Sequence, residues 1–468
     1  MDRDEFFWLG EINKATTVIN SAQGLLDPAL APRIAAGLAK VLADAEAPGA
    51  PRPNRVIAFE PLLIAAAGPE VTLLHAGRSS QDMHATFNAA ILRQWILDIA
   101  RDLARAQTSL RAIAADHVAT IVPNYTNGVA AQPNSLAHQF LGHFAALQRD
   151  ADRLREAYAR VDRCPMGTTV LNGTGWPLDR DRMATALGFA TPVDNAYDAA
   201  QLSPKDALVE LGQVISSIAL HVGGFIEDLM PQYSQAEPWI LLKPGKDTTY
   251  VSSAMPQKRN PGLLNDTRRD ASTVLGLAVA ATLRFHNLPT GMPDAKDLQS
   301  SAPMHHTIRS VLNGFDTILN SLVVDPDRAL AELNADWTAS QELADVLMRT
   351  YNLPFRIGHH FASEIVDHAK AHALTPLTFP YAEAQRIYTD VAGTALPLSE
   401  AEFHATLDPV AIVNARATPG GPQPAELTRM LADAEADLAS QTAWIADRQA
   451  AIDTALGKLD AAFEKLLK

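Results

Sequence analysis

From Ala85 to Val118 the chain contains neither proline nor glycine, and its apolar residues fall at Phe87, Ile91, Trp95, Ile99, Leu103, Leu110 and Ile113. Spacings of three, four and seven are helical, so this stretch predicts a helix of about nine turns. A helix of that length with a broad apolar face needs partners of equal length, which narrows the fold sharply. Four more stretches qualify. One follows Gln132-Pro133-Asn134-Ser135, with Ser135 as candidate N-cap, and runs through Phe140, Phe144, Leu147 and Leu154 towards Val161. A third spans Lys205 to Met230, bracketed by Pro204 and Pro231 where a helix tolerates proline. The fourth carries Leu263, Leu264, Val274, Leu275, Leu277, Ala278 and Leu283, and the fifth runs from about Met304 to Val324. No fixed-period self-similarity accompanies them, which argues against a solenoid.

The flanks have a different texture. Residues 1–82 read as shorter helices broken by proline-rich turns, with a loop from Ala47 to Pro53. From residue 331 the helices shorten again, until a last one runs from Ala425 into the C-terminus. No long linker intervenes, so the expected architecture is all-α: an N-terminal part (1–82), a central long-helix bundle (83–330) and a C-terminal part (331–468), packed as one unit. An apolar fraction of 47% with 20% charged residues is that of a globular protein.

A net charge of −14 without a basic stripe speaks against a nucleic-acid partner, though not against a small anionic substrate. The single cysteine, Cys164, excludes an internal disulfide and fits a reducing compartment. The N-terminus lacks a signal-peptide plan and no run of eighteen apolar residues occurs, so the expectation is a cytoplasmic protein with no membrane span. His305-His306 and His359-His360 are adjacent pairs without metal-ligand spacing, and nothing resembles a nucleotide loop, so no metal or cofactor is expected.

Chemistry concentrates in Ser252-Ser253-Ala254-Met255-Pro256-Gln257-Lys258-Arg259-Asn260-Pro261, within a loop spanning 245–262. Two hydroxyls, an amine and an amide stand between restricting prolines, just before a helix N-terminus that favours a bound anion. Gly245 to Thr249 offer a hinge. Read from its residues alone, the stretch fits a solvated loop equally well. Other polar clusters sit where the regions meet. His75-Ala76-Gly77-Arg78-Ser79-Ser80-Gln81-Asp82 precedes the first long helix, and reads either as a carboxylate site or as plain capping. Asn124-Tyr125-Thr126-Asn127-Gly128 reads as a turn, and Gly173 to Arg180 as a packed glycine loop.

The 252–261 stretch resembles the G-S-S-x-M-P-x-K-x-N-P signature of the fumarase/aspartase superfamily, with Val251 in place of the glycine. The remaining clusters resemble, in order, motifs of its argininosuccinate lyase branch. The His75 segment is similar to H-T-G-R-S-R-N-D-Q, and Tyr125 to Pro133 to Y-T-H-L-Q-x-A-Q-P-x-S. Gly173 to Arg180, with Asp194 to Asp198, is similar to G-T-G-Y-P-I-D-R followed by E-N-S-x-D. Leu288-Pro289 with Asp297-Leu298-Gln299 is similar to L-P-x-x-Y-N-x-D-L-Q. This resemblance implies a homotetramer with a twenty-helix core and active sites built by three subunits. It implies Ser252 as the base and Lys258 as its charge partner, both catalytic. Arg78, Ser80, Gln81, Thr126, Asn127, Ser253, Met255, Asn260 and Gln299 are then the substrate-binding set for a dicarboxylate or amino-acid substrate.

The departures are specific. Asn127 stands where the branch has the histidine of T-H-L, Ser80 and Gln81 where it has an R-N pair, and Ser300, Ser301 and Ala302 after Gln299 where it has E-D-K. The loop Thr290–Lys296 is two residues longer. These changes touch both the acid side and the leaving-group side of the pocket and point away from argininosuccinate. The expected activity is a C–N lyase releasing an amine and fumarate from an N-substituted aspartate or succinate. The alternatives are a nitrite-releasing lyase, a carboxymuconate-type cycloisomerase and a catalytically silent crystallin-like scaffold.

Overall fold

A computed structural model describes residues 3–291 and 297–468. The N-terminal part forms α1 (Glu5–Ala22), α2 (Ala31–Asp44) and α3 (Val56–Ala67). Then come the long helices: α4 (Ser80–Asp116), α5 (Leu136–Val161), the short α6 (Arg180–Ala186), α7 (Ser203–Leu229), α8 (Gly262–Phe285) and α9 (Ala302–Asn320). The C-terminal part holds α10 (Pro326–Ala335), α11 (Ser340–Tyr351), α12 (Phe355–Ala371), α13 (Tyr381–Ala392), α14 (Glu400–Ala405), α15 (Pro409–Ala415) and α16 (Pro424–Glu464).

The five long helices close a ring in which α4 packs on α5, α5 on α7, α7 on α8, α8 on α9 and α9 back on α4. Apolar faces supply the contact. Phe225 of α7 sits between Phe140 of α5 and Phe315 of α9, with ring centroids 5.5 and 5.1 Å away. Burying each such side chain contributes roughly 1.5–3 kcal/mol. The segment Asp198–Ser234, which contains α7, is apolar and long enough by composition to cross a membrane, yet half of its apolar window is buried. Its buried face, Leu208 to Leu229, packs within the bundle, which accounts for that apolarity as core.

Between α4 and α9 runs a polar seam whose α4 residues recur every seven positions. The Trp95 and His305 rings stack at 4.8 Å, Arg309 pairs with Asp102 at 2.7 Å, and Ser109 donates to Asp316 at 2.6 Å. Both numbers rise together, so α4 and α9 run parallel and their N-termini share one end of the bundle. The helix α8 runs against them: Arg284 near its C-terminus donates to Ser300 and Ser301.

Boundaries differ from expectation in a few places. The helix α4 starts at Ser80, because Ser79 and Asp82 form a capping box there. Ser135 occupies the N-cap position of α5, but its hydroxyl donates to the Val118 carbonyl (2.9 Å) and does not cap the helix. The fifth helix ends at Asn320; Leu322–Val324 leave it to pair antiparallel with Ile240–Leu242. Asn124 to Gly128 are part of a hairpin, β1 (Ile121–Thr126) and β2 (Val129–Ser135). Asn127 (φ 53°) and Gly128 (φ 77°) supply the two left-handed residues of its turn.

Among the described residues two large apolar cores form, with a small third cluster of Ile121, Leu333 and Val413. The larger joins α1–α9 to α16, which folds back on α4, α5 and α1. The smaller lies between Trp337 and Leu407 around Phe361, Phe379 and Phe403. Cys164 is fully enclosed in the larger core, where burial pushes its thiol up to about 12.

Candidate active site

The loop 245–262 folds into a small hairpin. Tyr250 pairs with Asn260 and Val251 with Arg259, and the Ser252 N–H donates to the Lys258 carbonyl at 3.2 Å. Inside that ring the Ser252 Oγ accepts from the backbone N–H groups of Met255 (3.3 Å) and Ala254 (3.4 Å). Two backbone donors converging on one hydroxyl oxygen would stabilise negative charge on it. Ser253, Met255 and Lys258 are exposed on the same hairpin. Arg259 is tied down through the Pro256 carbonyl at 2.7 Å, while among the described residues the Lys258 amine has no ion pair.

This hairpin and the β1–β2 hairpin both lie towards the end of the bundle where α9 finishes and α8 begins. Thr126 and Asn127 are exposed at the β1–β2 tip. The hairpin is held by the Tyr125 hydroxyl, which donates to Glu332 (2.5 Å) and accepts from Trp239 Nε1 and Gln232 Nε2, both at 3.2 Å. Burial, reinforced by the Glu332 bond, raises the Tyr125 pKa. Beside it lies a cavity of about 440 Å³ lined by Asn124, Tyr125, Asn127, Gln139, His143 and Trp239 among others. No residue of the 245–262 loop lines it.

At the opposite end, the N-termini of α4 and α9 bring Gln81 and Gln299 into a second cavity of about 220 Å³. Arg55, His84, Asn88 and Glu5 also line it. The sequence did not single out these four, because they belong to no motif and meet only through the packing of α1, α3 and α4. Ser80 is half-buried beside them in the first turn of α4. Arg78 turns inward, donating to Asn13 Oδ1 (2.8 Å) and Thr16 Oγ1 (3.1 Å) of α1, and burial lowers its pKa to about 10.

The third sequence cluster packs structurally. Arg180 donates to the Met166 and Val193 carbonyls (3.0 and 2.7 Å). The adjoining Gly167, Thr168 and Thr169 N–H groups converge on Asp82 Oδ2 at 3.1, 3.0 and 3.2 Å. The Tyr197 hydroxyl meets Thr290 at 2.7 Å, where the lengthened loop begins; the rest of that loop, 292–296, lies outside the described residues.

The candidate residues thus fall at two ends of a protomer. The helix α4 alone has 37 residues, about 55 Å at 1.5 Å per residue, so Gln81 and Asn127 cannot serve one small molecule within a single chain.

Residues 52–276 match the family described as Lyase, and residues 337–414 the argininosuccinate lyase C-terminal family. The argininosuccinate lyase of Methanoculleus marisnigri is 34% identical over 394 residues, covering 82% of this chain and 77% of that protein. The chain belongs to the argininosuccinate lyase branch of the fumarase/aspartase superfamily. It is a carbon–nitrogen lyase by that membership. The argininosuccinate lyase of Geobacillus kaustophilus is 33% identical over 381 residues, covering 81% of this chain and 80% of that protein. Among solved structures, EDDS lyase in complex with formate superposes with a TM-score of 0.89 at 23% identity, covering 99% of this chain and 92% of that one. Class II fumarase from Schistosoma mansoni superposes at 0.69 with 16% identity, over 88% of this chain and 90% of that one. At these identities the two structures establish the shared helical fold.

Proposed function

We propose that this lyase eliminates an amine from an N-substituted aspartate or related succinate, reversibly releasing fumarate. The observation that carries the reading is the pair of backbone N–H groups on the Ser252 oxygen. A hydroxyl is a weak base; as an alkoxide held by Met255 and Ala254 N–H groups, with the Lys258 amine nearby, it can take a proton. The proton comes from the carbon beside a carboxylate, and the dianion that forms needs fixed donors, which the Lys258 amine and Asn260 amide offer. Ser253, Met255 and Thr126 complete the surroundings of the reacting dicarboxylate.

Asn127 has no titratable proton to give, so the leaving group must depart without enzymic acid. A secondary ammonium does so: the C–N electron pair returns to nitrogen, and a neutral amine leaves. Gln81, Ser80 and Gln299 then stand where the leaving amine is received, with Arg78 as their inward brace. The related proteins named argininosuccinate lyase, and an EDDS lyase variant solved with fumarate, support the product class. The altered Ser80, Gln81 and Asn127 positions support an amine other than arginine.

We also propose a homotetramer whose active sites each draw on three subunits. The separation of the two ends supports it, as do exposed Leu220 on α7 and Val279 and Leu283 on α8 (62, 58 and 68% exposed). The retained Ser252, Lys258 and Asn260 count against a silent scaffold. The test is to mix the protein with fumarate and a panel of amines and follow the absorbance of the double bond, which should fall. The reading fails if no amine, diamine or amino acid is added and no N-substituted succinate yields fumarate. Turnover of a carboxymuconate in their place would select the cycloisomerase.

A further inference from the structure

The helix α12 ends on two histidines one turn apart. His368 lies in its last turn and His372 at its C-cap, a spacing of four that puts both side chains on one face. Their rings stack with centroids 4.1 Å apart and planes 23° from parallel. His368 is half-buried, edge-on to Phe379 at 5.8 Å, while His372 is exposed. What sets the pair apart is where each ring turns its Nδ1. His372 Nδ1 lies 2.8 Å from the His368 carbonyl oxygen. A carbonyl only accepts, so that nitrogen carries the hydrogen. His368 Nδ1 faces the carboxylate of Glu383 on α13 at 3.5 Å, which likewise calls for a hydrogen there. Arg386 donates to the same carboxylate through Nε at 2.9 Å and holds its pKa below the usual glutamate value.

With both Nδ1 positions protonated, each neutral ring presents a bare lone pair at Nε2. Among the described residues neither Nε2 has a hydrogen-bond or ion-pair partner. Two neighbouring lone pairs, each backed by an acceptor on the other ring nitrogen, are the arrangement of metal-bound imidazoles. We propose that His368 and His372 together hold a late first-row divalent cation (zinc, nickel or copper), each through Nε2. Imidazole suits these ions, whereas magnesium and calcium take oxygen ligands. Metal–nitrogen bonds of about 2 Å need the two Nε2 atoms on the order of 3 Å apart with their lone pairs converging. His372, exposed at the helix end, has room to tilt into that position. No group of three or more His, Cys, Asp or Glu among the described residues is placed to hold a metal, so water completes the shell. The ion would pin the last turn of α12, and Glu383 would brace it from α13. His360 and Glu364 share the spacing but not the pattern, because the Glu364 carboxylate faces His360 Nε2 itself at 3.3 Å. The site and the lyase reading stand independently of each other.

Equilibrium dialysis of the untagged protein against NiCl2, and separately against ZnCl2, is the test. One site per chain should stand out as the tightest, and excess MgCl2 should not displace the ion. His372→Ala, a change at an exposed residue, should remove that site, as should His368→Ala. Glu383→Ala leaves both ligands in place and should weaken binding about tenfold, the usual cost of losing such an outer partner. His360→Ala should leave the site intact. Circular dichroism checks that each variant folds. The inference is overturned if neither ion finds such a site, if magnesium displaces the bound ion, or if His372→Ala binds as tightly as the wild-type protein. Unchanged affinity in Glu383→Ala overturns it too, since rings held by chance on a helix surface would not feel that loss.

Discussion

Ser252 and Asp82 each collect backbone N–H groups, and the difference between them separates a residue proposed to react from a structural one. Ser252 does so on an accessible hairpin, where the oxygen can still reach a substrate. Ser252→Ala should lower kcat by about two to four orders of magnitude, the usual worth of a positioned base, while the melting temperature stays within a degree or two. Full retention of rate would remove it as the base. Asp82 is completely buried and accepts from Ser79, Gly167, Thr168 and Thr169 N–H groups, so its carboxylate ties the start of α4 to the 167–169 loop. Burial raises its pKa, although those donors pull the other way. Asp82→Asn turns an acceptor into a donor facing other donors and should cost about 2–4 kcal/mol, read as a lower urea midpoint. At this scale the sequence was legible where a motif marks the residues now proposed to react, as with Ser252, Lys258 and Asn260. It was not legible for Arg55 and His84. Their significance arises when α3, the first turn of α4 and the approach to α9 meet around one cavity, and no local spacing encodes that meeting.

The long helices were readable because each keeps one apolar face over many turns, and period alone identifies such a pattern. The short sheets were not. Pro123 and Pro133 face one another across the β1–β2 ladder and mask it as a turn, since proline argues against a strand. Leu322 to Val324 continue an apolar run that suits a helix, and only their pairing with Ile240–Leu242 extracts them. The α4–α9 seam yields a prediction of its own. His305 is buried and stacked on Trp95, with Asp98 at 3.7 Å and Asp102, Arg309 and His306 around it. Burial lowers its pKa from 6.5 to about 4, outweighing the pull of Asp98. The unfolded chain therefore binds the extra proton first. The stability of the neutral, stacked form is fully present above pH 6.5 and is lost as pH falls towards 4, by about 2–3 kcal/mol in total. His305→Phe keeps the stack without the titration. Its denaturation midpoint should change less than that of the wild-type protein between pH 6.5 and 4; equal slopes would mean the loss belongs to other groups.

For the whole molecule, the decisive feature is that one protomer separates what the proposed chemistry must join. The Ser252 hairpin and Asn127 lie towards one end of the bundle, and Gln81, Gln299 and Arg55 at the other. Copies packed antiparallel through the exposed faces of α7 and α8 would set one end of a subunit beside the opposite end of its neighbour. Native mass spectrometry should then show four copies, and Leu283→Glu should lower both the assembled fraction and the activity, because a buried unpaired charge opposes that packing. Mixed assemblies give the sharper test. Ser252→Ala and Gln81→Ala impair different ends, so tetramers of either variant alone have a defect in every site. If the two are dissociated together and reassociated, some sites take Ser252 from one parent and Gln81 from the other, and activity should rise above both parents. A mixture no more active than its better parent, while mass spectrometry shows hybrid tetramers, would mean each chain completes its own site, and the shared-site proposal would fail.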